Sequence, residues 1–186
     1  MTALIIIIVL IVVIAIALIV MRNNLVVARN RVKNAWSQID VQLQRRFDLI
    51  PNLVETVKGY MAHESDVLEK VTSLRSSWAN AKTVEDKANI DNTLSSTLKT
   101  IMALSENYPD LKANTNFMSL QDELSKTEDK LSYSRQFYND TVTKYNTQLE
   151  VFPSNIATSL FGFKAETLFE VDNAEARKNV KVDFGK

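Results

Sequence analysis

From Ala3 to Met21 the chain contains only Ala, Leu, Ile, Val and Met. Nothing else in the sequence limits the fold as tightly. A helix of about nineteen residues is about 28 Å long, close to the roughly 30 Å hydrocarbon thickness of a bilayer. The helix of a water-soluble core keeps a polar face, and this run has none. A cleaved signal peptide is the competing reading. It requires a positive n-region, a shorter apolar core and a small-x-small cleavage site. Here no Lys or Arg precedes the run, and Ala15-Ile16-Ala17 lies inside it. Residues 1–22 therefore read as an uncleaved transmembrane anchor. Arg22, Arg29, Arg31 and Lys33 all come before the first acid, Asp40. The positive-inside rule then predicts a single-pass protein of the cell membrane, with its N-terminus outside and its bulk in the cytoplasm.

Beyond the anchor, apolar residues recur at three- and four-residue steps. The first stripe is Leu25, Ala28, Val32, Trp36, Ile39, Leu43, Phe47, Ile50, Val54, Val57 and Met61. Such spacing is the buried side of an amphipathic helix. Pro51 interrupts it in one of two ways: as a kink in a continuous helix, or in the first turn of a new helix capped by Asp48. Gly59 is a second break point. Val67/Leu68, Val71, Leu74 and Trp78 form the next stripe. Thr83, three residues before Asp86, resembles a capping box with Asp in place of the usual Glu or Gln. Ile90, Leu94, Leu98, Ile101, Leu104/Ser105 and Tyr108 follow, and Pro109 is expected to end that helix.

Asn114-Thr115-Asn116 offers caps for a last long helix, striped by Phe117, Leu120, Leu124, Leu131, Tyr138, Val142, Tyr145, Leu149 and Phe152 and stopped by Pro153. Four stripes with short connectors predict an all-α fold: an up-and-down four-helix bundle over residues 23–170 behind the transmembrane helix. Ile156, Leu160, Phe161 and Phe163 suggest a short apolar helix that either caps the bundle end or touches the membrane surface. Residues 171–186 read as a polar tail.

The residue inventory removes several function classes. Lys+Arg and Asp+Glu both total 22, so no positive excess calls for nucleic acid. The absence of cysteine removes disulfides, thiolate metal sites and cysteine nucleophiles. His63 is the sole histidine, and Val67 stands where a helical metal motif would place a second. Glu123 with Glu128 and Asp129 lacks the inward Glu-x-x-His pairing of a di-iron bundle, so these acids read as solvated surface. No G-x-S-x-G or S-x-x-K occurs, and the glycines stand alone at 59, 162 and 185. No catalytic residue, cofactor or metal is expected.

Two clusters stand out. Arg22, Arg29, Arg31 and Lys33 lie next to the membrane, where each cation attracts anionic headgroups by about 1 kcal/mol; plain topology signalling also accounts for them. Asn34, Ser37, Gln38, Gln42 and Gln44, followed by Arg45 and Arg46, are unusual on a plain solvent face, which is normally Glu- and Lys-rich. Amides and arginines suit an interface, so Gln38, Gln42, Arg45 and Arg46 are the candidate contact residues. Trp36 and Tyr138 read as core aromatics.

Three stretches together resemble the LemA family, over about Asn24 to Glu170. One is Asn34-Ala35-Trp36-Ser37-Gln38-Ile39-Asp40-Val41-Gln42-Leu43, continuing into Arg45-Arg46-Phe47-Asp48-Leu49-Ile50-Pro51-Asn52-Leu53. The second is Val57-Lys58-Gly59-Tyr60 with His63-Glu64. The third is Leu111-Lys112-Ala113-Asn114 with Arg135-Gln136-Phe137-Tyr138-Asn139, Tyr145-Asn146 and Phe152-Pro153. The resemblance implies an N-terminal anchor, a four-helix cytoplasmic bundle and no established enzymatic activity. Magnetosome membrane proteins are similar to this family, which implies a part in shaping or organising membranes. The expected function is a self-associating scaffold on the lipid bilayer, a homo-oligomer; the alternative is an adaptor that docks another membrane protein through its polar helix face.

Overall fold

The computed structural model describes residues 1–61 and 63–170. Among these residues every regular element is an α-helix: α1 Thr2–Asp48, α2 Ile50–Lys58, α3 Ser65–Asn80, α4 Val84–Ser105, α5 Pro109–Lys112, α6 Thr115–Glu150 and α7 Ser154–Phe161. The all-α class expected from the stripes is therefore what the chain adopts. The tail from 171 to 186 lies outside the described residues. The described residues divide into two compact units, one of residues 1–48 and 122–168, the other of residues 49–121 with 169 and 170.

In the first unit, α1 runs for 47 residues without a break, from the apolar run into the amphipathic stripe. The run is long and apolar enough to cross a membrane, and none of its most apolar stretch is buried in the protein. Beyond it, Leu25, Val32, Ala35, Ile39, Leu43 and Phe47 are buried. Ala35 takes the deep position expected for Trp36, which is half-buried. Neighbouring helical residues are 100° apart, so periodicity fixes the centre of a stripe only to within one step. From α6, Leu131, Tyr138, Val142, Tyr145 and Leu149 are buried as their spacing predicted. Phe152 is not: it is 79% exposed, because α6 ends at Glu150 and the chain turns before reaching it.

In the second unit the chain at Pro51 begins a new helix. Pro51 lies in the first turn of α2, where its missing N–H has no helical partner to lose. The expected Asp48 cap is absent. Leu49 holds the N-cap position with no side-chain bond, and Asp48 Oδ1 instead accepts from Gln44 Nε2 at 2.9 Å. The break also resets the stripe, so Leu53 is buried and Val54 only half-buried. Gly59 ends α2, as its position suggested. Thr83 caps α4, its Oγ1 accepting from the Asp86 N–H at 3.0 Å.

Helix α4 stops at Ser105, four residues before Pro109, and Pro109 opens the one-turn α5. A proline expected to end one helix thus starts another, since its fixed φ suits a first turn equally well. Asn114 caps α6, with Oδ1 accepting from the N–H groups of Asn116 at 2.9 Å and Phe117 at 3.1 Å. Asp91, which the stripes did not single out, is fully buried in α4.

Candidate functional site

Three interactions fix α1 against α6 in the first unit. Trp36 meets Tyr138 edge-to-face, with ring centroids 5.6 Å apart and planes at 62°. Arg45 Nη2 reaches Glu123 Oε2 at 2.7 Å, and Arg46 Nη1 reaches Glu128 Oε2 at 2.7 Å. Arg135 Nη1 approaches the other oxygen of Glu128 at 3.5 Å. The contacts step down α6 as they step up α1, so the two helices are antiparallel.

The four candidate contact residues do not share one surface. Gln38 is exposed, Gln42 is half-buried, and Arg45 is exposed beside Glu123. Arg46 is buried, at 4% exposure, with its guanidinium turned inward onto Glu128. Of the two adjacent arginines, Arg45 thus lies on the rim and Arg46 in the seam. Consecutive residues diverge by 100°, and the step from 45 to 46 crosses from rim to seam. Glu123 and Glu128, weighed above as solvated acids, each engage an arginine of α1. Among the described residues no group of three or more His, Cys, Asp or Glu side chains is gathered as a metal would need. His63 is exposed in the turn before α3.

The two ion pairs differ in what they contribute. The Arg45–Glu123 pair is half in water, and exposed pairs stabilise by about 0–1 kcal/mol. Glu128 is itself 39% exposed, but the two guanidinium groups it faces, those of Arg46 and Arg135, are buried, so its loss is felt on the arginine side alone. Glu128→Gln is expected to destabilise the first unit by about 1–2 kcal/mol, against less than about 1 kcal/mol for Glu123→Gln. Urea unfolding of the full chain in micelles, followed by helical circular dichroism, makes the comparison. Equal effects would show that Glu128 does not hold the seam.

A second group of contacts was not anticipated from the sequence. Helix α6 grips the backbone that follows α7. Tyr145 Oη donates to the Lys164 carbonyl at 3.0 Å, and Tyr138 Oη donates to the Thr167 carbonyl at 2.8 Å. Asn146 makes a two-way pair with Glu166, donating to its carbonyl and accepting from its N–H, both at 2.9 Å. The signal was present: two tyrosines seven residues apart on a buried stripe need partners for their hydroxyls.

Burial, and secondarily Glu166, pushes the Tyr138 hydroxyl up to about 12. Burial and Glu166 also raise Tyr145, with Arg29 opposing them. A raised tyrosine keeps its proton in the folded state after the unfolded chain has lost it. Its contribution is thus complete below pH 10 and is lost as pH rises from 10 towards 12. Tyr138→Phe is expected to flatten that alkaline loss of stability, measured by urea midpoints across the same pH interval.

Beside the seam lies a groove of about 560 Å³, lined by Ala28, Arg31, Asn34 and Gln38 of α1 and by Phe137, Thr141, Lys144 and Gln148 of α6. Phe137 is 47% exposed there among hydroxyls and amides. The membrane-proximal cations separate. Arg31 lines the groove, while Lys33 is exposed and its carbonyl accepts from Ser37 Oγ at 3.0 Å. Arg22 lies over the Phe161 ring at 5.6 Å and Arg29 over the Phe163 ring at 5.5 Å. The groove presents hydroxyls, amides and cations around the rings of Phe137 and Tyr145.

A model of the LemA family matches residues 35–184. Protein LemA of Metamycoplasma hominis is 27% identical over 159 residues, which cover 83% of this chain and 71% of that relative. Magnetosome protein MamQ 2 of Paramagnetospirillum magneticum is 27% identical over 195 residues, covering 90% of this chain and 72% of the relative. MamQ 1 of the same organism matches to the same extent.

Proposed function

The chain belongs to the LemA family, and from that premise we propose that it is a scaffold: an anchored up-and-down four-helix bundle that self-associates and organises the bilayer around it. It is a membrane-associated helical protein related to MamQ. In this reading α1 is an uncleaved single span, with its N-terminus outside. The cations Arg22, Arg29, Arg31 and Lys33 hold the rest in the cytoplasm. The bilayer and further copies of the chain are its partners, and no reaction, cofactor or nucleic acid is assigned to it.

The continuity of α1 carries the proposal. This helix passes without a break from the apolar run into the wall of the groove. A contact made through Arg31, Gln38, Phe137 and Gln148 is therefore tied to the direction in which the chain leaves the membrane. Repeating that contact among copies fixes the angle between neighbouring spans, which is how an array of anchored rods imposes shape on a lipid sheet.

Because the chain has no cysteine, a single thiol introduced by Gln148→Cys reports on the groove alone. Oxidative crosslinking of this variant in native membranes, at natural abundance, should trap dimers. Monomers only would remove the scaffold. The adaptor is the second reading, favoured by the amide-rich groove rim. It predicts instead a stoichiometric heterologous membrane protein crosslinked to the same position.

A further inference from the structure

Helix α7 carries an apolar surface that the first unit does not cover. Ile156 and Leu160, one turn apart on α7, are 50% and 62% exposed, and Phe152, in the turn just before it, is 79% exposed. No charged residue occurs from Ser154 to Phe161. Ala157, on the flank of the helix about 80° round from Ile156 and Leu160, is fully buried, and α7 packs on α1. A small residue at that contact lets the two helices approach closely. The bulky side chains are left exposed.

The position of this surface along α1 says what covers it. Among residues 1–21 only Ala17, Leu18 and Met21 are half-buried; the others are exposed. Arg22, directly after the apolar run, lies over the ring of Phe161 at 5.6 Å. The antiparallel register points to the same level. Arg46 meets Glu128 and Trp36 meets Tyr138. Continued to the end of α6, that register brings Glu150 opposite Asn24, two residues beyond Arg22. Helix α7 thus sits where the span ends.

We infer that α7 is a second membrane contact: Phe152, Ile156 and Leu160 enter the headgroup–acyl boundary of the leaflet from which α1 emerges. The inference rests on the anchored reading of α1 and deepens it by naming what the α7 surface binds. The physical case is continuity. The surface adjoins a segment that is itself lipid-covered, and an uncharged amphipathic helix beside a span buries its apolar side in the same phase. Arg22 stacked on Phe161 supplies a cation at headgroup level. One leaflet then carries both a span and a lateral wedge, whereas the opposite leaflet carries the span alone.

The test uses the full chain in vesicles of phosphatidylcholine and phosphatidylglycerol. Four single variants, Ile156→Cys, Leu160→Cys, Leu10→Cys and Tyr133→Cys, are each labelled with an environment-sensitive fluorophore. All four side chains are exposed, so the labels displace no packing. The labels at 156 and 160 should be quenched by lipids carrying a doxyl group near the headgroup and shielded from aqueous iodide. The label at 10 should respond most to doxyl groups deep in the acyl chain, and the label at 133 to iodide alone.

Iodide quenching at 156 and 160 equal to that at 133 overturns the inference. So does shielding from both iodide and doxyl lipids, which would mean that a protein surface, such as a second copy, covers α7. Loss of lipid quenching at 10 overturns the anchored reading itself, so the two failures are distinguishable.

Discussion

Replacing Val9, Ile11 and Val13 together by aspartate is expected to move the protein from the carbonate-resistant membrane pellet to the soluble fraction, whereas Ile11→Asp alone should leave it in the pellet. The difference follows from magnitudes. Fifteen of the residues from Ala3 to Met21 are Leu, Ile or Val. At about 0.3–0.6 kcal/mol each, they favour insertion by about 5–9 kcal/mol. One aspartate near the centre costs about 3–4 kcal/mol including the apolar residue it replaces, so insertion still wins. Three cost roughly 9–12 kcal/mol and reverse the sign. Aspartate is preferable to arginine because a long cationic side chain reaches back to the interface and relieves part of the cost. Fractionation of the two variants beside the unaltered chain reads the outcome. A triple variant that stayed in the pellet would show that the span is not what attaches the protein. Intact mass of the unaltered chain separates anchor from cleaved leader in the same preparation.

The apolar run is the part of the molecule most legible in the sequence. It needs no partner to be recognised, because length and composition alone mark a helix able to cross a membrane. The stripes of α1, α3, α4 and α6 were readable for a related reason: a helix repeats its buried side every 3.6 residues whatever packs against it. Caps at Thr83 and Asn114 are local bonds spanning two or three residues, so their signals lie within a few letters of one another.

What the sequence hid depended on distant partners. Arg45 and Arg46 are adjacent letters with opposite fates, decided by Glu123 and Glu128 far along the chain. Tyr138, Tyr145 and Asn146 could be placed on α6, but the backbone of residues 164–167 that they hold could not. Prolines misled for a local reason. A pyrrolidine ring fits both the residue after a helix and the first turn of the next, so Pro109 carried a boundary without its direction. The groove is the extreme case: its polar α1 wall was legible as Gln38 and its neighbours, but a groove exists only once α6 supplies the other wall.

Tyr138→Ala is expected to cost about 3–5 kcal/mol, the largest effect of any single substitution in the first unit. The side chain is fully buried, so truncation opens a cavity between α1 and α6. Two further losses accompany it. Trp36 loses its edge-to-face partner, about 0.5–1.5 kcal/mol of the total. The Thr167 carbonyl loses the hydroxyl at 2.8 Å, about 1–3 kcal/mol if no water replaces it. Tyr138→Phe isolates that last contribution, because it keeps the ring and deletes only the donor. For a chain of this size each kcal/mol shifts the midpoint by about 2–4 °C, so the alanine variant should melt about 6–20 °C lower. Thermal unfolding of the full chain in micelles checks this, with the half-exposed Phe137→Ala as the reference. If Tyr138→Ala melted no lower than Phe137→Ala, the seam would not be what stabilises the unit. The same substitution links stability to the proposed function. Tyr138 is one of the side chains that hold the α6 wall of the groove to α1. Adding Tyr138→Ala to the Gln148→Cys variant should reduce its crosslinking under conditions where the chain is still helical and still in the pellet.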